Sequence, residues 1–330
     1  MTTISISKAS PPVAYPQPAF RPVRSFAQKL INVTITLSPN AAASGQPNTF
    51  AGGSSNQVTL SGFRTRARIT NAGGTANASA KIDVFGVQPS LINQLLQAGP
   101  IFNQIPGNSV LVSAGDAVAG MSPVFGGTIY FSQGLFSQQP DVPLTMVCQA
   151  GGIWQTAGVP PSSFTGATDV ATILSGLARA AGKQFENNGV TVQLSNPYYA
   201  GNLYQQVQRI AADAHINAQF VDADTKLAIW PIGGARSATS NIPLISPTTG
   251  MIGYPMFSSN SYMTVKHLFN PQVSLGGAIQ VQSSLPQANG QWVVYQLDLA
   301  LDSKVPKGDW MATAYCYKSG FLAPPPPQAG

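Results

Sequence analysis

Charge is scarce in this 330-residue sequence: Asp, Glu, Lys and Arg together make up 8% of it, against roughly 25% in an ordinary soluble domain. So neutral a surface favours self-association, and the composition reads as that of a protein largely covered by neighbours. Acidic residues are missing before Asp83, whereas Lys8, Arg21, Arg24, Lys29, Arg64, Arg66, Arg68 and Lys81 precede it. Those eight exceed the net charge of +6, so the rest of the chain carries −2 and the basic character belongs to the first quarter. It suits an acidic protein surface, nucleic acid or lipid headgroups.

Cysteine is nearly absent. Cys148 and Cys316 lie far apart, without the spacing of a metal site or disulfide framework, and read as small buried hydrophobes. No apolar run approaches the roughly 18 residues that cross a bilayer. The opening "MTTISISKASPPVAYPQPAF" lacks the continuous apolar stretch of a secretory signal, so synthesis in a reducing cytoplasm without membrane insertion is expected.

The chemical inventory is equally sparse. Glu186, in "FENNG", is the single glutamate and reads as a solvated turn residue. Asp222 and Asp224 in "DADT" fall short of a calcium loop and suit a hairpin turn. His215, at a helix end, and His267, in a strand, have no i, i+4 partner for zinc. Glycines in "VSAGDAVAG" and "VFGGTIYF" suit bulges or tight turns better than phosphate binding. No catalytic, cofactor-binding or metal-binding residue is assigned.

What the sequence has is β pattern. "LINVTITLSP", "NQVTLSGF", "RTRARIT", "AKIDVFGV", "SVLVSAGD", "GTIYFSQ" and "VPLTMVCQ" are short β-branched runs separated by turn residues, expected to form a barrel or sandwich over 27–150. "PSLINQLLQAGP" interrupts them as a helix starting at Pro89 and ending at Gly99–Pro100. Residues 151–240 read as a Gly/Pro-rich linker followed by a small α+β domain over 166–236. Its helices are "TDVATILSGLARAAGKQF", capped by Thr168 or Asp169, and "NLYQQVQRIAADAHI"; a hairpin turns at Asp222–Thr225. Strands return over 241–320 in "YMTVKHLF", "AIQVQSS", "GQWVVYQLDLALDS" and "WMATAYCY", with a hairpin turn expected at "NGQW". Residues 1–26 form a basic, Pro-rich extended arm and 321–330 a polyproline tail. The fold class is α+β, mainly β.

"SGFRTRARIT" places Arg64, Arg66 and Arg68 on one face of a strand, and Phe63, Thr65, Ala67 and Ile69 on the other. The second face belongs to a core. The first is a solvated face, a contact with another subunit or a nucleic-acid surface; the last lacks the interleaved aromatics that stack on bases.

Several segments in order resemble the baseplate hub proteins of contractile-tailed bacteriophages. They are "LSGFRTRARITNAGG", "AKIDVFGV" and "VFGGTIYFSQGLFSQQPDVPLTMVCQAG"; then "TDVATILSGLARAAGKQFENNGVTVQLSNPYYAGNLYQQVQRIA"; then "TGMIGYP" and "VKHLFNPQVSLGGAIQVQSSLPQANGQWVVYQLDLALDS". The resemblance implies a structural virion protein and no enzyme. It implies a homotrimer in which each chain supplies two tube-like β-barrel domains flanking the α+β domain. Its partners would be the tail tube protein above, a central spike below and other baseplate proteins around, with genomic DNA passing non-specifically. Within that picture Arg64, Arg66 and Arg68 are expected at a subunit or partner interface, because a basic lumen would retard DNA. A tail tube or tube-terminator protein, or a cell-wall-degrading tail hydrolase, is the alternative.

Overall fold

The computed structural model describes residues 3–7, 27–38, 49–50, 55–74, 76–96, 107–156, 158–236, 242–259 and 261–318. The chain is mainly β with short helices and divides into two compact units, each drawn from separated stretches. Unit 1 comprises Met1–Ile69, Ser79–Gly152 and Leu299–Trp310; unit 2 comprises Thr70–Ala78, Ile153–Asp298 and Met311–Gly330.

Unit 1 contains β1 (Thr3–Ser7), β2 (Lys29–Thr36), β3 (Gln57–Ser61), β4 (Arg64–Asn71), β5 (Ser79–Phe85), α1 (Pro89–Leu95), β6 (Ser109–Asp116), β7 (Gly120–Gly134) and β8 (Pro143–Gln149). The strand order is β1-β3-β2-β6-β7-β8-β5-β4. Alternation decides which side of each strand is buried. Ile31, Val33 and Ile35 of β2, Val110, Val112 and Ala114 of β6, and Ala80, Ile82 and Val84 of β5 are all buried, while their neighbours are more exposed. Each such Ile or Val contributes about 1.5–3 kcal/mol when withdrawn from water. The β6–β7 turn explains "VSAGDAVAG": Asp116 Oδ1 accepts from the Val118 and Ala119 amides at 2.8 and 2.7 Å, and Gly120 takes φ +85°.

Three expectations for this part of the chain meet the structure differently. The first arm contributes β1, paired antiparallel with β3 from Thr3↔Ser61 to Ser7↔Gln57. The first helix stops sooner than its apolar stripe predicts, because Leu96 is already extended. Its expected stop at Gly99–Pro100 lies outside the described residues, as do the rest of the first arm and the polyproline tail.

Unit 2 begins with α2 (Gly152–Thr156), β9 (Ser162–Ser163), β10 (Ala167–Asp169), α3 (Val170–Ala180), β11 (Gln184–Asn187), β12 (Gln193–Ser195), β13 (Tyr198–Tyr199), α4 (Leu203–Asp213), β14 (Ile216–Val221) and β15 (Lys226–Pro231). It continues with β16 (Leu244–Ile245), β17 (Met256–Ser259), β18 (Tyr262–Leu268), β19 (Ala278–Val281), β20 (Gly290–Ser303) and β21 (Trp310–Lys318). β20 runs out of unit 2 after Asp298 and enters unit 1 at Leu299, and β21 enters unit 2 at Met311.

The two main helices form where their sequence patterns predict, and each has a side-chain cap. Asp169 accepts from the Thr172 amide at 3.1 Å, and Asn202 and Gln205 exchange both bonds of a capping box. Gly182 closes α3 at φ +66°. Ile173, Leu174 and Leu177 of α3 meet Leu203, Val207 and Ile210 of α4 in one core with Leu227 and Ile229 of β15. That core lies against the sheet β11-β15-β14, in which β11 runs parallel to β15 and β14 antiparallel. The β14–β15 turn puts Asp222, Ala223 and Asp224 at positive φ, a conformation that short acidic side chains tolerate.

The remaining strands of unit 2 follow the order β20-β21-β18-β17, with β19 on β20 and β16 parallel to β19. "NGQW" is not a two-residue hairpin turn. Asn289 and Gly290 end a longer connection from Val281 that includes a 3-10 turn at Pro286–Ala288, whose Ala288 carbonyl accepts from Trp292 Nε1 at 2.9 Å.

Candidate functional site

Strand β4 carries the arginine stripe as alternation predicts: Thr65, Ala67 and Ile69 are buried, and the arginines lie on the more exposed side. Two of the three are engaged within their own unit. Arg68 Nη1 donates to Asp302 Oδ1 at 2.6 Å, and its Nη2 donates to Asp302 Oδ2 and Asp309 Oδ2, both at 3.2 Å. The Asp302 side chain is only 5% exposed. Burial alone would raise its carboxyl, but the Arg68 hydrogen bond, the Asp309 amide and the Arg68 and Arg66 charges hold it below the ordinary aspartate range.

Arg64 reaches Asp141 at 3.0 Å and lies 4.1 Å from the centre of the Phe85 ring. Asp141 is well exposed, so this ion pair contributes little, and the stacked guanidinium covers the aromatic face instead. Arg66 stands 5.8 Å from the same ring and makes no ion pair among the described residues.

A second charged group, in unit 2, escaped the sequence reading. Arg236 is nearly fully buried, its side chain 3% exposed; Nε and Nη2 donate to Glu186 Oε1 and Oε2, each at 2.9 Å. Nη2 also reaches Asp222 Oδ2 at 3.2 Å, and Nη1 donates to the Leu275 carbonyl at 3.2 Å. Lys226 adds contacts of 3.1 Å to Asp222 and 3.8 Å to Glu186. Glu186 is therefore no solvated turn residue; it belongs to β11, and the parallel register with β15 brings it opposite Ala228.

Desolvation would raise both carboxyls, but the Arg236 bonds and charge outweigh it and keep Glu186 and Asp222 below their usual range. Both carboxylates are thus held ionised and compensated. That arrangement ties a strand to a hairpin and provides neither a raised-pKa acid nor a free base. Only the singularity of Glu186 hinted at it, since nothing in the spacing of residues 186, 222 and 236 indicates contact.

The other candidates hold local positions. Asp224, in the β14–β15 turn, pairs at 2.8 Å with Lys183, which lies between α3 and β11. His215 follows α4 at φ +51°, and buried His267 bonds through Nδ1 to the Leu268 carbonyl at 2.7 Å. Burial lowers the His267 pKa. Both cysteines are free and buried, which pushes the Cys148 thiol up to about 12 and raises Cys316 further. Among the described residues no His, Cys, Asp and Glu cluster could hold a metal, and no helix is long and apolar enough to cross a membrane.

Unit 2 also presents an open sheet edge. Among the described residues β17 pairs only with β18. In and just before β17, Tyr254 is 70% and Met256 68% exposed, with Ile252 also exposed. Exposed apolar side chains beside an open strand edge are features that protein-contact surfaces often share.

Comparisons with known proteins place the fold and the family. The fold is shared with a tail protein from Neisseria meningitidis MC58 at TM-score 0.57 and 10% identity, over 88% of this chain and 98% of that one. It is shared with the 43 kDa tail protein of prophage MuSo2 from Shewanella oneidensis at TM-score 0.56 and 9% identity, over 89% and 97%. An E. coli component of the type VI secretion system, itself described as similar to the T4 bacteriophage tail proteins gp27 and gp5, matches at TM-score 0.54 and 11% identity, over 81% and 79%. No curated protein matches in sequence. A family model described as "Baseplate hub gp41" matches residues 30–315, nearly the whole of both units, and the chain accordingly belongs to the baseplate hub gp41 family.

Proposed function

We propose that this protein is a trimeric baseplate hub whose three copies adapt a six-fold tail tube to a three-fold spike and enclose part of the DNA channel. In this reading each chain contributes two tube-like β modules to a ring, tube protein docks above, the spike docks below, and the role is mechanical and non-enzymatic. The observation that carries it is the exposed apolar edge at β17 in a chain of the baseplate hub family. A free monomer gains nothing from holding Tyr254 and Met256 in water, whereas a ring of copies buries them.

The arginine strand fits the same assembly. Arg64 and Arg68 are neutralised by their own unit, which leaves Arg66 as the member of the stripe available to a neighbouring chain or an acidic companion. An image reconstruction of the assembled particle tests the proposal: three copies at the junction of tube and spike support it. Six copies would identify a tube or tube-terminator protein instead.

A further inference from the structure

Unit 1 carries an exposed apolar row on the side of its sheet away from the core. Phe131 of β7 stands opposite Val147 of β8, and Val147 stands opposite Lys81 of β5, so three neighbouring strands set these side chains in one line. Phe131 is 41% and Val147 42% exposed. On β2 the same side is polar instead, with Asn32, Thr34 and Thr36. Beyond β5 the sheet continues to β4, where Arg64 covers the Phe85 ring and Arg66 stands 5.8 Å from its centre. Four strands at the usual spacing span about 14 Å, so the apolar pair and the cations share one face. Neither Arg66 nor Lys81 makes a hydrogen bond or ion pair among the described residues.

The two cations set the sign of what binds, and the chain's own acids do not answer it. Each of its eleven side-chain carboxylates already accepts from a cation, an amide or a hydroxyl group of its own unit. A second copy therefore brings no uncommitted carboxylate to Arg66 and Lys81. Duplex DNA would neutralise the cations with phosphate, but it would leave Phe131 and Val147 without an apolar partner. A protein segment with apolar side chains beside Asp or Glu satisfies both requirements.

We propose that this face of unit 1 docks an acidic segment of a different protein, with Phe131 and Val147 as the apolar contact and Arg66 and Lys81 as the flanking charges. The apolar pair supplies most of the affinity, and the charges select the partner and speed the encounter. The inference rests on reading the chain as an assembly component. The copy number of the hub does not enter it, so the binding test and the particle image fail separately.

The test selects a displayed library of random dodecamer peptides on the full-length chain and sequences those that bind. Two full-length variants supply the comparison: Arg66→Glu with Lys81→Glu, and Phe131→Ser with Val147→Ser. The charge reversal alters exposed side chains only, so it carries the test by itself if the serine variant does not fold. Peptides lost on the variants are expected to combine Asp or Glu with Leu, Phe, Tyr or Trp. Synthetic copies of them should bind the charge-reversed chain about tenfold or more weakly than the parent, and should lose affinity as salt rises. Selected peptides that are neutral or basic, or that bind the variants as well as the parent, would overturn the proposal, as would a library that yields no binder. A DNA duplex whose binding is lost on both variants would assign the face to nucleic acid instead. An oligomer of the parent that dissociates on both variants would assign it to a second copy.

Discussion

Arg236 grips both carboxylate oxygens of Glu186 at 2.9 Å, joining the sole glutamate of the sequence to a nearly fully buried guanidinium fifty positions away. Removing one partner strands the other in a poorly solvated site. Arg236→Met is expected to cost about 3–5 kcal/mol, and the double variant Arg236→Met with Glu186→Gln to recover a large part of it. Urea unfolding of the two single variants and the double variant measures this. Additive losses would show that the two residues do not act as a pair.

Acid should loosen both units. Asp116, Asp302, Glu186 and Asp222 all have carboxyls lowered in the folded state. A lowered folded pKa contributes stability that is fully present above the unfolded value and is lost as pH falls through the folded one. With ordinary values of 3.8 for Asp and 4.5 for Glu, stability should be level above about pH 5 and fall steadily below about pH 4. Thermal unfolding at a series of pH values checks the direction; a stability that rises on acidification contradicts it.

Arg66 and Arg68 should separate assembly from stability. Arg68→Ala leaves buried Asp302 without its main partner and is expected to cost about 1–3 kcal/mol. Arg66→Ala breaks no ion pair among the described residues, so the isolated chain should unfold within about 0.5 kcal/mol of the parent. If the proposed interface exists, Arg66→Ala weakens association instead, measurable by sedimentation at graded salt.

The β17 edge offers a sharper dissection. Tyr254→Lys together with Met256→Lys places two charges where the monomer is already solvated, so the thermal midpoint should scarcely move. Oligomers should dissociate. Light scattering reads the mass, and an unchanged oligomer would remove this edge from the interface.

Thiol chemistry reports on the core. Burial raises both thiols, Cys148 to about 12, so neither forms appreciable thiolate near neutral pH. Cys148 and Cys316 should react with a disulfide reagent only as fast as the protein opens, and at once in denaturant. Immediate reaction of the native protein would contradict their placement.

Local physics made much of this protein legible from its sequence. The alternation in "RTRARIT" placed Thr65, Ala67 and Ile69 in the core, Asp169 announced the start of α3, and the amphipathic pattern of "NLYQQVQRIAADAHI" announced α4. The aspartates of "DADT" marked the turn between β14 and β15. These features depend on residues within a turn or two of one another, so periodicity and capping suffice to find them. The long connection before Gly290 was hidden, because Asn-Gly has the same local preference at the end of a longer loop as in a tight hairpin.

The sequence by itself determined the longer strands and the two main helices, which face of each is apolar, and how little charge the chain holds. Only the tertiary structure decided where that charge goes. Arg68 meets Asp302 across 234 positions, and Glu186 meets Arg236 across 50. Strand register and the path of the chain set those distances, and no local pattern encodes them. The same long-range placement sends β20 out of unit 2 at Asp298 and into unit 1 at Leu299. From Leu297 to Ser303 its buried and half-buried side chains alternate without a break across that point, so the residues carry the pattern and the fold assigns the unit.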